Sequence, residues 1–427
     1  MKTSRRFNPH RRSNSPHLDA LINTVSSGLE TRPLKSGARQ RKRRKAAEAS
    51  VRATVEALLC DALFEHAIGD PNKQLSVYLT KNKAIAPVRY RYPFQRDNFG
   101  RIVKALADEQ WLTLVKGGAA ERDEETGKIT RLVSTISAGP VSIAWLATNH
   151  LQVEDFKLEG STECIVLKAA RQPNGNKPAI DYADTEHTKS LRRDMEQVNV
   201  WLASLHITTR DPTVDVSDRY LRRVFNDGTF DHGGRLCGGF WQSMKAARRG
   251  AISLDGEPVV TLDYGQTFAR ILYGLEGAKP PQGDLYALPG MPPSARKGVK
   301  LTFNSLLFAT SKPSRLPQGA RSAGIPKRYG LVDVLTLLKA KHPAIAHHLP
   351  SNIGPQLYLI ESEIMLEVLL RCRKQQLPAL PIHDALLVPA SKVHAARMIM
   401  ETVFMERTGG TGAVGVTPAA TSNLSLQ

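Results

Sequence analysis

Apolar residues recur every three or four positions between Val51 and Ala67, where Val55, Leu58, Leu59, Leu63 and Phe64 share one face, so the spacing predicts a helix with a buried stripe. Ile102, Val103 and Leu106 predict a second helix, which runs into an alternating, strand-like stretch from Trp111 to Val115. A polar, turn-like segment from Glu121 to Lys128 follows, and alternation resumes from Arg131 to Ile136. Cys164 to Lys168 reads as an apolar strand. His187 to Leu205 reads as a helix with Leu191, Met195, Val198, Trp201 and Leu202 at helical spacing and Arg192 and Arg193 at its edge. Farther on, a β-branched and apolar run from Glu257 ends at Asp263, and a helix begins just after it. Leu377 to Val388 is a second strand-like run that carries Asp384 in a hairpin-like setting. Between these two runs, Ser294 to Ala309 reads as a helix on which Arg296, Lys300, Asn304 and Phe308 fall at successive i, i+4 steps and share a face.

Composition narrows what such a chain can be. Its 427 residues are long enough for about three domains, and 41% hydrophobic with 23% charged residues exclude a collagen-like, mucin-like or wholly disordered polymer. No apolar run approaches the length of a membrane span, and no apolar segment backs the basic N-terminus, so neither membrane insertion nor secretion is expected. Cys60, Cys164, Cys237 and Cys372 lie far apart without a C-x-x-C pair, which argues against a zinc ribbon or disulfide scaffold and fits a cytoplasmic, nucleic-acid-associated protein.

Charge points to the partner. A net +19 and a pI near 9.9 concentrate polyanions around the molecule, so nucleic acid leads. Residues 1–50 hold 13 Lys and Arg against three acids, a local +10 that includes Arg41, Lys42, Arg43, Arg44 and Lys45. That stretch reads as a disordered basic arm that scans phosphates, or else as a solubilising tail. The expected organisation is an arm over 1–50, a DNA-binding domain over 51–140 and a helical connector or thumb-like region over 141–217. A catalytic region over 218–407 and a disordered tail over 408–427 complete it.

The order helix, strand, polar loop, strand over 51–140 resembles a winged helix-turn-helix, which implies a helix in the major groove and a wing on the backbone. Modules of this kind also dock proteins, and the pattern does not separate the two.

The candidate chemistry lies downstream. A carboxylate at the end of a buried strand stands at the rim of a sheet, where it can hold a divalent metal. Asp384, flanked by apolar residues, needs a cation or a donor nearby because an unpaired buried carboxylate is costly. The two are either a shared metal pair or unrelated structural aspartates. The face with Arg296, Lys300, Asn304 and Phe308 suits a triphosphate and a stacked base, or is an amphipathic surface.

Together these segments resemble motifs A, B and C of the family A DNA polymerases and the single-subunit phage-type RNA polymerases. Motif A, D-Y-S-Q-I-E-L-R in the DNA enzymes, is matched by Asp263-Tyr264-Gly265-Gln266-Thr267-Phe268-Ala269-Arg270, with Asp, Tyr, Gln and Arg in register. Arg296, Lys300 and Phe308 follow the R-x-x-x-K plus aromatic pattern of motif B, His383-Asp384 follows motif C, and Gly234-Arg235-Leu236 is similar to the G-R-L segment before motif A. The resemblance covers about residues 218–400. It implies an α+β fold, a polymerase-like palm with short helical fingers.

By the same resemblance Asp263 and Asp384 would hold two Mg²⁺ (or Mn²⁺) ions that activate a primer 3′-hydroxyl and neutralise the leaving pyrophosphate. Arg296 and Lys300 would grip the triphosphate, Phe308 would stack at the nascent base pair, and Tyr264, Gln266 and Phe268 would line the nucleotide site. Arg235 and Arg270 would contact nucleic acid, and His383 would approach the primer terminus. Three positions depart from the pattern: Phe268 replaces the Glu that excludes a 2′-hydroxyl, Ala385 replaces a Glu or Ser, and Phe308 lacks the usual tyrosine hydroxyl. The expected function is template-directed nucleotidyl transfer on a DNA or RNA template and primer, with nucleoside triphosphates as substrates and a replicative or priming role in a mobile element. The alternatives are a non-catalytic DNA-binding replication initiator or regulator with a degenerate palm and, last, a metal-dependent nuclease.

Overall fold

The computed structural model describes all residues except 1–3, 36–43, 78, 80–86, 91–98, 119, 123–128, 132, 160–162, 174, 212–213 and 419–427. The expected α+β class is the observed one, and the chain forms two compact units. Unit 1 comprises 1–163 and 212–218, and unit 2 comprises 164–211 and 219–427, so the expected connector region over 141–217 is shared between them.

Unit 1 runs β1 (Ser4–Arg6), β2 (Arg11–Ser13), α1 (Pro16–Lys35), α2 (Lys45–Ala67), β3 (Gln74–Ser76), α3 (Phe99–Asp108), β4 (Leu112–Val115), β5 (Ala120–Arg122), β6 (Ile129–Arg131), β7 (Thr135–Ala138), α4 (Pro140–Thr148) and β8 (Phe156–Leu158). Its main sheet has the order β1-β3-β7-β4, with β1 parallel to β3 and the other pairs antiparallel. β5 and β6 form a separate hairpin, and β2 pairs with β8. The predicted stripes on α2 and α3 are buried as expected, against Leu18, Ile22 and Val25 of α1.

The expectation of a disordered arm over 1–50 is corrected by these elements. Leu18, Leu21, Ile22, Val25 and Leu29 recur at three- and four-residue spacing and are buried, so Pro16–Lys35 is an amphipathic core helix. Among the arginines assigned to phosphate scanning, Arg11 and Arg12 are interior groups and Arg5 is half-buried. Arg11 is 1% exposed, bonded through Nε to Asp61 at 3.1 Å, paired with Asp215, and stacked 3.5 Å above the Phe64 ring. Arg5 bonds both oxygens of Asp61, and Arg12 bonds Glu159 at 3.1 Å. Burial works to raise the Asp61 pKa, but Arg5 and Arg11 hold it below the usual carboxylate range. Arg44 and Lys45 open α2 and are exposed, whereas Arg41, Lys42 and Arg43 lie outside the described residues.

Unit 2 runs β9 (Ile165–Leu167), α5 (Glu186–Ser204), β10 (Ile207–Thr209), β11 (Leu221–Phe225), β12 (Gly233–Gly238), α6 (Phe240–Ser243), β13 (Ile252–Leu254), β14 (Glu257–Tyr264), α7 (Thr267–Leu275), α8 (Arg296–Leu307), α9 (Leu331–Lys341), α10 (Gly354–Lys374), β15 (Leu380–Ile382), β16 (Ala385–Pro389), α11 (Val393–Thr408) and β17 (Val414–Pro418). An antiparallel sheet of order β10-β13-β14-β16-β15 is completed by β17 on β14. A smaller sheet, β12-β11-β9, packs against α10. The expected disordered tail is corrected in part: Val414 to Pro418 pairs with β14 from Val260 to Tyr264, because Val414, Val416 and Thr417 are strand formers that satisfy the free side of that strand. No described helix is long and apolar enough to cross a membrane.

Candidate active site

At the end of β14, Leu262 and Tyr264 are buried, Tyr264 at 3% exposure, and Asp263 between them is open to solvent. The pleat therefore sends Asp263 and Tyr264 to opposite faces. Tyr264 donates its hydroxyl to the Met400 carbonyl at 2.6 Å, so the expectation that it lines a nucleotide site is corrected: its ring is core. Beyond it, Gln266 takes a left-handed backbone, φ 60°, and turns the chain into α7.

The second aspartate comes from the hairpin of β15 and β16. Ile382 pairs with Ala385, leaving His383 and Asp384 as the two turn residues. His383 also takes a left-handed backbone, φ 55°, which a non-glycine residue adopts only at some cost. The hairpin is fixed from behind, since the Pro381 carbonyl accepts from Trp241 Nε1 at 2.8 Å and from Gln242 Nε2 at 2.9 Å.

Register then joins the two carboxylates. Asp263 is the cross-strand partner of Ala385, and the Tyr264 amide donates to the Asp384 carbonyl at 3.2 Å. One Asp384 carboxylate oxygen accepts from Thr267 Oγ1 at 2.9 Å. Although the tip of Asp263 meets solvent, the protein walls around it and the neighbouring Asp384 charge push its pKa up to about 6, with Lys300 working against the rise. The two aspartates thus set hard oxygen donors beside each other, with the Lys300 charge opposing theirs.

A third carboxylate stands beside this pair. Glu361 on α10 is 3% exposed and takes a bidentate bond from Arg235, at 2.7 and 2.9 Å. Burial raises its pKa to about 7 against the pull of Arg235, and the Asp384 and Asp263 charges add to the rise. The Arg235 guanidinium lies 3.8 Å above the Tyr358 ring, one α10 turn from Glu361. Arg223, 1% exposed and pulled down to a pKa of about 10 by burial, braces the same loop through the Gly234 carbonyl and Ser362 Oγ.

Phe268, Phe308 and Tyr358 form an aromatic trio, with Tyr358 4.8 Å from Phe308 and 5.4 Å from Phe268, centroid to centroid. Their approach explains Gly354, where any Cβ would lie 2.5 Å from the Phe308 ring. On α8, Lys300 is exposed and Asn304 Oδ1 is buried without a hydrogen-bond partner. Arg296, expected to grip phosphate, is instead paired with Asp284, which also accepts from Gln266 Nε2 at 2.8 Å and from the Tyr286 amide. Arg270 is bonded to Gln266 Oε1 and the Thr411 carbonyl, both at 3.3 Å. Burial and the Arg235 charge push the His383 pKa down, with the Asp384 charge working against them.

Unit 2 thus brings together Asp263, Asp384 and Lys300, joins Arg235 to Glu361, and stacks Phe268 with Phe308. Glu361, Tyr358, Thr267 and Asp284 were not anticipated. Glu361 carried a readable signal, because it interrupts the apolar stripe of Leu357, Ile364, Met365 and Val368 with a charge.

No protein-family model matches the chain, and no curated protein matches it. Among solved structures, the chain is similar to the POL domain of Pol1 from M. smegmatis in complex with DNA primer-template and dNTP. The TM-score is 0.31 and the identity 15%, over 55% of this chain and 52% of that one, so the match spans about half of that chain.

Proposed function

We propose that unit 2 is a template-directed nucleotidyltransferase that extends a nucleic-acid strand, with Asp263 and Asp384 as its catalytic carboxylates. The observation that carries this reading is their convergence at the rim of the sheet, where the Asp384 charge and burial drive Asp263 to a pKa of about 6. Two carboxylates in that relation are relieved only by a proton or a cation, and hard oxygen donors suit Mg²⁺ or Mn²⁺. Bound there, such ions supply charge neutralisation on the phosphates and a lowered pKa for the attacking hydroxyl.

The protein's own groups do the rest. Lys300 offers a cation to the triphosphate, and Arg296 joins it by exchanging Asp284 for phosphate. Asn304 presents an unpartnered acceptor beside them. Half-buried Phe308 and Tyr358 offer ring faces to a base and its sugar, and buried Phe268 packs against them at the position where the family A DNA polymerases that this chain resembles carry the Glu that excludes a 2′-hydroxyl. Arg235, held flat over Tyr358 by Glu361, is positioned for the nucleic-acid backbone, and His383 for the primer end.

For unit 1 the reading is a winged-helix-like DNA-binding module. Three features support it: the antiparallel order β3-β7-β4, the β5–β6 hairpin between β4 and β7, and α3 with its apolar side buried and Arg101 and Lys104 exposed.

The test is extension of a labelled primer on a longer template with dNTPs or NTPs and Mg²⁺ or Mn²⁺, by wild type, Asp263→Asn and Asp384→Asn. Extension by wild type and its loss in both variants is the expected result. No extension by wild type, with DNA binding intact in all three proteins, overturns the enzymatic reading in favour of a DNA-binding initiator or regulator. Shortening of the strand overturns it in favour of a nuclease.

A further inference from the structure

One cluster of metal-ligating side chains lies apart from the catalytic carboxylates. Glu276 caps the C-terminal end of α7, and His347 and His348 end the 3₁₀ turn Pro343–His348. Their ligand atoms lie within 4.8 Å of one another, the one such trio among the described residues. His348 Nε2 is 2.8 Å and His347 Nε2 is 3.1 Å from the same oxygen, Glu276 Oε1. Successive residues of a 3₁₀ turn point about 120° apart. Yet these two rings are 4.0 Å apart, centroid to centroid, and aim their nitrogens at one point.

We infer that Glu276, His347 and His348 form a binding site for a zinc ion. Two imidazoles and one carboxylate make a borderline-soft donor set that suits Zn²⁺ and not Mg²⁺ or Ca²⁺, which take oxygen ligands. Zinc–nitrogen bonds of about 2.0–2.1 Å at tetrahedral angles place ligand atoms about 3.3 Å apart. The two nitrogen–oxygen separations, 3.1 and 2.8 Å, need to open by only a few tenths of an ångström. Metal binding replaces the two Nε2 contacts by two Zn–N bonds and one Zn–O bond to Glu276; any proton on Nε2 shifts to Nδ1 or leaves to solvent, and the fourth position falls to water. The ion would also stand at the negative end of the α7 dipole, where a cation is favoured.

The competing account is a carboxylate that accepts two surface hydrogen bonds and nothing more. It explains the distances but not the convergence of three ligand groups from segments about seventy residues apart. α7 is nine residues and about 13 Å long, and its other end carries Thr267, which bonds Asp384. A zinc ion at Glu276 would therefore clip the far end of that helix to the turn that precedes α10, the helix of Tyr358 and Glu361.

The test is equilibrium dialysis of the full-length, tag-free chain against Zn²⁺ with excess Mg²⁺ present, together with the visible spectrum of the Co²⁺ complex. Expected are one zinc retained per chain and the intense absorption of four-coordinate cobalt. His347→Ala/His348→Ala should lose both, and Glu276→Gln should weaken binding at least tenfold. Asp263→Asn/Asp384→Asn should retain them, which separates this site from the proposed catalytic pair. Unchanged zinc retention in the double histidine variant, or a six-coordinate cobalt spectrum in wild type, overturns the proposal. The cobalt measurement needs no variant to fold.

Discussion

Replacing Glu361 by Gln is expected to change the pH dependence of stability by an amount that follows from its surroundings. Two effects oppose each other there: the bidentate bond from Arg235 favours the ionised carboxyl, while burial and the charges of Asp384 and Asp263 disfavour it. Burial and the neighbouring charges prevail and take the pKa from 4.5 to about 7. With the folded value above the unfolded one, the native state binds a proton that the unfolded state has released. The associated stability is complete below pH 4.5 and is lost as pH rises through about 7. At about 1.4 kcal/mol per pH unit, that interval of some 2.5 units amounts to roughly 3 kcal/mol. Gln keeps the shape and releases no proton. The stability of wild type minus that of Glu361→Gln should therefore fall by roughly 3 kcal/mol between pH 4.5 and pH 8. Urea unfolding of both proteins, followed through the buried Trp201 and Trp241 of unit 2, measures it, and titrations common to the two proteins cancel in the difference. Added Mg²⁺ should shrink the effect by compensating Asp263 and Asp384. A difference that stays flat, or that grows with pH, would show that Arg235 keeps Glu361 ionised throughout, and the reasoning would be refuted.

Other outcomes can be measured independently. Mn²⁺ binding at Asp263 and Asp384 should weaken as pH falls through about 6, because a raised carboxyl pKa lets protons compete with the ion, and calorimetry at successive pH values reads this directly. Arg11→Met should destabilise unit 1 by about 3 kcal/mol, since it leaves Asp61 with 0% exposure and only Arg5 to balance it, and should lower the melting temperature accordingly. Arg101→Gln with Lys104→Gln should weaken DNA binding equally across sequences and reduce the slope of log affinity against log salt by about 2; an unchanged slope would remove α3 from the interface.

Much of unit 2 was legible because its signals are local. A β-branched run ending in Asp263 reads as a strand, and Pro381-Ile-His-Asp-Ala between apolar runs reads as a turn, so the local pattern alone places both aspartates. The α2 and α3 stripes were legible for the same reason. What escaped is long-range. Arg11 sits in a basic run that looks solvated, and only Asp61 and Asp215, 50 and 204 residues away, make it an interior group. Tyr264 matched a motif, yet the pleat of β14 takes it to the face opposite Asp263. The Glu361 charge lies on an apolar helical stripe whose meaning depends on Arg235 from another sheet.

The last strand of the sheet sets an order of assembly. β14 bonds to β16 on one side and to β17 on the other, with Asp263 opposite Ala385 and Gly415 in the two ladders. During synthesis Val414 to Pro418 leaves the ribosome after every other described element of unit 2. Until then the strand that ends in Asp263 is a sheet edge with an open row of amides and carbonyls. A nascent chain released before Val414 would carry both aspartates and the hairpin, yet would present that edge to other chains. Premature termination in this stretch should therefore yield aggregates, and a tag or partner fused to the C-terminal end keeps the sheet intact only if its linker begins beyond Pro418.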